Sequence, residues 1–202
     1  MKKFITPILF FIVLTSCKAQ TPVFDIEDYA NIAKNIRGAY YKDTKNQLDA
    51  YEGTYLYTNG NSSLKIVLQK KVMSSMNGVY FEDLIIGEYQ SIKDGVEKGN
   101  TLNKLTINYT DQSNHNIDGN FILTGTELGC NDCAPTEKRL RLGFVDGASK
   151  NVGDMDVRRT TVNGKNAIRV KIMWVGPVAH KEGTPMPLPA SVSAKEYILI
   201  KQ

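Results

Sequence analysis

Cys130-Asn131-Asp132-Cys133 is the most conspicuous arrangement in this sequence that could carry chemistry, because two thiols three residues apart can exchange electrons, hold a metal or close on each other. Redox work of the thioredoxin kind wants the first cysteine at a helix N-terminus within a βαβ pattern. Here the surroundings read as strand, loop, strand. A small structural disulfide therefore ranks ahead of redox chemistry, and metal binding comes last. Closing so short a loop contributes roughly 2 kcal/mol at best. Lys138 and Arg139 lie close enough in sequence to lower a thiol pKa, which keeps the redox alternative open. His115 and His180 each sit in a polar loop with no partner at metal-ligand spacing, and both are expected to be exposed. Glu82, Asp83 and Glu88 fall on one strand, with Glu82 and Glu88 on the same face by parity. That is the raw material of a two-carboxylate hydrolase, but a solvated strand face is the expectation. No serine lies in Gly-x-Ser-x-Gly and no glycine-rich phosphate loop occurs. No catalytic residue, cofactor or metal-ligand set is assigned.

The N-terminus supplies the setting for that cysteine pair. Lys2-Lys3 precede an apolar run from Phe4 to Leu14, too short to span a bilayer as a helix, followed by Thr15-Ser16-Cys17. Leu14-Thr15-Ser16-Cys17 resembles the bacterial lipobox. The resemblance implies cleavage before Cys17 and acylation of that residue, giving a signal peptide at 1–16, a lipidated tether at 17–24 and a single β-rich domain at 25–202. Each buried methylene contributes about 0.8 kcal/mol, so several acyl chains hold a domain at a membrane essentially permanently. Lys18 follows the cysteine, with no aspartate to resemble an inner-membrane retention signal and no acidic cluster to resemble a surface-export signal. The expected location is the cell envelope, on the periplasmic face of the outer membrane. An acylated Cys17 also leaves Cys130 and Cys133 to pair with each other.

Removing the first 16 of 202 residues leaves 186, enough for one domain with a real core. Lys2 and Lys3 leave with the signal, so 25 basic residues become 23 against 21 acidic ones. So small an excess gives no electrostatic case for a nucleic-acid partner. No second apolar run is long enough for a membrane span, which makes Cys17 the expected membrane contact.

The elements that must position these residues are mostly strands. Asp25 reads as the N-cap of a short amphipathic helix carrying Ile26, Tyr29, Ala30, Ala33 and Ile36, closed by Gly38. Tyr40 to Ala50 reads as a polar connection. Tyr51 to Lys71 reads as a hairpin about a type I′ turn at Asn59-Gly60, with Tyr55 opposite Leu64, Gly53 opposite Ile66 and Tyr51 opposite Leu68. Val79 to Ile92 is a long strand in which Gly87 marks a bulge or bend. Leu105, Ile107 and Tyr109 alternate with polar residues, as do Phe121 and Leu123. Arg139 to Phe144 alternates with arginines out and Leu140, Leu142 and Phe144 in. A second hairpin about Asn163-Gly164 sets Val157 opposite Val170, Met155 opposite Ile172 and Asp156 opposite Lys171. It also sets Arg158 opposite Arg169, a pair that needs an anion or a fanned-out geometry, and leaves Arg159 on the apolar face. Glu196 to Ile200 is a last strand, buried on both sides or closing the sheet. The pattern predicts a mainly β fold, an antiparallel barrel-like meander of about nine strands, with a β-sandwich as the alternative.

Gly53-Thr54-Tyr55 is similar, over three residues, to the Gly-x-Trp opening of lipocalins, with Tyr for Trp. Taken with Leu64-Lys65-Ile66-Val67-Leu68, Ile86-Gly87-Glu88-Tyr89 and Asn100-Thr101-Leu102 behind a lipobox, it resembles a family of small uncharacterised bacterial lipoproteins. That resemblance covers most of the mature chain and implies no activity and no catalytic residues.

The function these features suggest is a lipid-anchored binding or interaction module for a small apolar ligand or an envelope protein. The alternative is an enzyme with a site assembled from scattered residues, or a redox protein. A closed apolar interior cavity favours ligand binding, a cleft with convergent carboxylates or histidines favours catalysis, and a filled interior points to a surface-mediated partner. The proline-rich connection from Val175 to Ala194 reads first as an irregular crossover, with a contribution to a binding surface or the covering of one barrel end as the alternative.

Overall fold

The computed structural model describes residues 22–30, 36–175, 183 and 188–202. Cys17 and His180 lie outside the described residues. Among the described residues there are eleven strands: β1 (Val23–Asp25), β2 (Tyr40–Lys42), β3 (Gly53–Asn59), β4 (Ser62–Met76), β5 (Tyr80–Lys93), β6 (Val96–Asn100), β7 (Ile117–Thr124), β8 (Lys138–Val145), β9 (Val152–Val162), β10 (Lys165–Trp174) and β11 (Glu196–Lys201). Eight of them, in the order β5-β4-β3-β11-β10-β9-β8-β7, are antiparallel neighbours, and β7 returns to β5 through Ile85 with Gly119 and Gly87 with Ile117. The fold is a closed antiparallel barrel. β6 and the parallel pair β1–β2 attach to β5 outside the ring.

The second hairpin forms in the expected register. Asn163 and Gly164 take φ of 50° and 76°, as a type I′ turn requires, and Val157 faces Val170 while Met155 faces Ile172. The first hairpin forms with its register displaced by two residues. Tyr55 lies opposite Ile66, Gly53 opposite Leu68 and Tyr57 opposite Leu64, because the loop residues are Gly60-Asn61 rather than Asn59-Gly60. Of the two, only Gly60 has positive φ (55°), which suits a type II′ turn. A slip of two keeps every side chain on its face, so Tyr55 and Leu64 both remain buried. Tyr51, expected in the strand, instead ends a 3-10 turn at Leu48–Tyr51. β11 closes the ring between β10 and β3.

An eight-strand ring is just wide enough to be filled by its own side chains. Here Tyr55, Ile66, Ile85, Ile117, Leu142, Met155, Val170 and Leu199, each at most 2% exposed, join one continuous core. One end is covered by Leu48 and Tyr51. At the other, Trp174 stacks on Phe144 with ring centroids 5.0 Å apart and donates through Nε1 to the Val192 carbonyl at 3.1 Å. Val192 is in the core, and Ser191 donates through N and Oγ to buried Asp146 at 2.5 and 2.7 Å. The described part of the Val175 to Ala194 connection therefore does cover a barrel end. Residues 176–182 and 184–187 of it lie outside the described residues.

Four further expectations change. Asp25 accepts from the Glu27 amide at 2.8 Å and starts a helical turn, which is a 3-10 turn over Ile26–Ala30; residues 31–35 of the expected helix lie outside the described residues. Val23 and Phe24, within the stretch read as tether, enter the sheet beside Tyr40 and Tyr41. Leu105, Ile107 and Tyr109 form no strand. Leu102–Thr106 is a 3-10 turn, and the segment crosses the outer face of β5, whose outward Leu84 and Ile86 are fully buried. Tyr40 to Ala50 is not merely polar, since Tyr41 and Leu48 are core residues.

Gly87 is not at a bulge. It lies in regular register between Leu68 and Ile117, where β5 is paired on both edges, and an added Cβ would stand 2.7 Å from Leu68 Cδ2 and 2.8 Å from the Val67 carbonyl oxygen. Glycine is needed for close approach. Gly87→Ala should lower the urea-unfolding free energy by roughly 1–3 kcal/mol; unchanged stability would show that the ring does not close tightly there.

Candidate functional site

β5 is covered on both faces, and this decides the fate of its carboxylates. Glu82, Asp83 and Glu88 are 6%, 2% and 0% exposed, so the solvated strand face expected for them is corrected to a buried one. Glu82 and Glu88 do share a face, directed outward beneath the segment 101–116. Thr101 pins the start of that segment by backbone and hydroxyl contacts with Tyr89, and Asn116 pins its end by exchanging hydrogen bonds with Val145 at 2.7 Å. His115, expected to be exposed, is buried. Its Nδ1 lies 2.8 Å from Glu88 Oε1, and the Tyr109 ring meets it edge-on at 4.9 Å. Asp83 turns the other way and organises the barrel rim, accepting from Tyr40 Oη at 2.5 Å, from Asp43 N at 3.0 Å and from Met73 N at 2.9 Å.

Beside this pair lies a second acidic group. Asp118 is paired with Ile86 on the outer face of β7, and burial, then the charges of Glu82 and Asp111, push its carboxyl up to about 7. Burial does the same to Glu82, also to about 7, against a lowering hydrogen bond from Asn120 Nδ2 at 3.2 Å and with further raising by Asp111 and Asp83. Carboxyls poised near neutrality are what acid–base chemistry uses. None of the five grooves described on this protein is lined by Glu82, Glu88, His115 or Asp118. Glu82, Glu88 and His115 lie buried beneath the segment 101–116, with Asp118 half-buried beside them.

The cysteine pair sits on the opposite flank. Cys130 and Cys133 are at disulfide distance, with Cα atoms 5.5 Å apart, Cys130 half-buried and Cys133 buried. Their loop carries Asp132 over the two arginines that the hairpin register sets opposite each other. Arg158 donates from Nη1 to Asp132 Oδ2 at 2.7 Å and from Nε to Glu137 Oε1 at 2.5 Å. Arg169 Nη1 stands 3.6 Å from the same Asp132 oxygen. Asp132 is the anion that this like-charge pair needs, and Arg158 holds both Asp132 and Glu137 below the usual carboxylate range. Neighbouring Arg141 grips Asp156 with Nε and Nη2 at 2.6 and 2.9 Å. The groove beside Cys130, also lined by Arg139, Arg158 and Lys171, is only about 110 Å³. Sequence reasoning missed this neighbourhood because Arg158 and Arg169 approach from another hairpin.

Arg159 stands where parity placed it, on the inward face, but at the barrel mouth and exposed, with its guanidinium 6.0 Å from the Tyr51 ring centroid.

These features define a class: a small closed β-barrel with a filled interior, a buried acidic layer on one flank and a salt-bridged arginine layer on another. The whole chain, residues 1–202, matches the family of unknown function DUF6705 and belongs to it. No curated protein and no solved structure matches the chain.

Buried Glu82 and half-buried Asp118 make stability pH-dependent with a definite sign. The folded state keeps protons on Glu82 and Asp118 that the unfolded chain releases between about pH 4 and 7, so stability falls as pH rises through that window. Urea unfolding should give a higher free energy at pH 5 than at pH 8. Glu82→Gln with Asp118→Asn should flatten the slope and raise stability at pH 8 by roughly 1–3 kcal/mol. A slope unchanged in that variant would contradict the assignment.

Proposed function

We propose that this protein is a lipid-anchored envelope protein, held at the outer membrane through Cys17, which works as a binding or interaction module through its outer surface and barrel mouths. The observation that carries this reading is the filled interior: the inward side chains form a continuous core, and the described grooves all open outward. A small apolar ligand held inside, as in a lipocalin, has no room. The outside of the barrel carries Arg141, Asp154, Asp156, Arg158 and Lys171, the reverse of a membrane barrel with its outward apolar band. Among the described residues no helix is long and apolar enough to cross a membrane. The lipobox-like Leu14-Thr15-Ser16-Cys17 supplies the attachment in this reading. An enzymatic reading is weaker because Glu82, Glu88 and His115 are all buried.

In the same reading the Cys130–Cys133 bridge is a structural staple. Its work is to hold Asp132 over Arg158 and Arg169, and those arginines are neutralised by carboxylates instead of being free to activate a thiol. Two measurements check this proposal. Metabolic labelling with a fatty acid should mark the wild type and not Cys17→Ser, which should leave the membrane fraction; equal labelling of both sinks the anchor. The double Cys130→Ser, Cys133→Ser variant should lose no more than roughly 2 kcal/mol of stability. Insulin reduction by the wild type that disappears in that variant would move the protein among the oxidoreductases.

A further inference from the structure

The inward-facing rows of three adjacent strands change character as they reach one end of the barrel. On β9, Met155 and Val157 are followed by Arg159 and Thr161. On β10, running the other way, Ile172, Val170 and Ile168 give way to Asn166. On β11, Leu199 is followed by Lys201. The apolar core thus ends in a polar, cationic floor beneath an open vestibule of about 570 Å³, lined among others by Tyr55, Arg159, Thr161, Asn166 and Lys201.

The charges there are not internally matched. Among the described residues the barrel strands carry five arginines, and Arg139, Arg141, Arg158 and Arg169 each have a carboxylate within 4.0 Å. Among the described residues Arg159 has none, and neither has Lys201; each instead stands over an aromatic face, Tyr51 at 6.0 Å and Tyr55 at 5.7 Å. Asp49, the acidic group on the rim, is engaged by Lys70 Nζ at 2.5 Å. Both side chains are exposed at the mouth, so their charges are available to a ligand from solvent. Concave walls also focus their field into the vestibule.

We propose that this vestibule binds a phosphomonoester. The Arg159 guanidinium offers the planar fork that matches phosphate oxygens in bidentate fashion, and Lys201 adds a second point charge. The Thr161 hydroxyl and the Asn166 amide supply neutral donors on the same inward face. Two cations match the charge of a phosphomonoester, about −1.5 to −2 at neutral pH, better than the single charge of a carboxylate. The proposal rests on the reading of the protein as a binding module but not on its lipid anchor.

The test uses the full chain with Cys17→Ser, so that no acyl chain reaches a vesicle, and two probes: glycerol 3-phosphate by calorimetry, and phosphatidylcholine vesicles with and without phosphatidic acid by flotation. Saturable binding of glycerol 3-phosphate assigns a soluble ligand, and binding only to vesicles that contain phosphatidic acid assigns a lipid head group. In either case Arg159→Gln with Lys201→Gln should weaken binding at least about tenfold while leaving the melting temperature essentially unchanged, since both side chains are exposed. Arg159→Lys, which keeps the charge and loses the fork, should weaken it several-fold and guards against a folding defect in the double variant. No binding of either probe, or binding that the double variant retains, overturns the proposal. Because the anchor is absent throughout, a failure here is separate from a failure of fatty-acid labelling.

Discussion

The pairing of β7 back onto β5 is the constraint on which the rest of the molecule depends. Without it β5, β4, β3, β11, β10, β9, β8 and β7 would be an open sheet with two edges; with it they are a ring, and an eight-strand ring encloses little more than its own side chains. β5 is the strand that makes this closure feasible, because it is also paired with β4 and serves β2 at one end and β6 at the other. Its length and its lack of a side chain at Gly87 follow from that crowding. So does the packing of the described inward side chains into one continuous core.

Closure also distributes polarity. A strand covered on both faces leaves nowhere solvated for its carboxylates, and Glu82, Asp83 and Glu88 are each handled differently. Asp83 is saturated with donors, Glu88 is matched by His115, and Glu82 is left close to neutrality beside Asp118. The flank formed by β8, β9 and β10 meets the opposite problem of outward arginines and solves it with carboxylates, one of them lent by the cysteine loop. At the mouth the same accounting is left open at Arg159 and Lys201.

How much of this was legible in the sequence varied with the physics involved. Asn163-Gly164 fixed its hairpin because both turn residues tolerate positive φ and the flanking alternation agrees. In the first hairpin Asn59-Gly60 and Gly60-Asn61 are both acceptable turns, and alternation of period two cannot separate registers that differ by two residues. Leu84-Ile85-Ile86 does signal a strand buried on both sides, and would have warned that Glu82 and Glu88 are not solvated. His115 left no such trace, since only the fold of 101–116 buries it. Arg159 was visible as an anomaly on an apolar face, and Arg158 opposite Arg169 as a demand for an anion. Which residue answers that demand is a long-range fact that local patterning does not contain.

The central claim, that the barrel is filled and that binding is external, can be tested through the single tryptophan, Trp174, which closes one end of the core by stacking on Phe144. The folded protein would be titrated with an apolar fluorescent probe while energy transfer from Trp174 is followed. The account predicts no saturable uptake and no transfer in the native state. Saturable, equimolar binding with efficient transfer from Trp174 in the native state would contradict it and restore an internal ligand site.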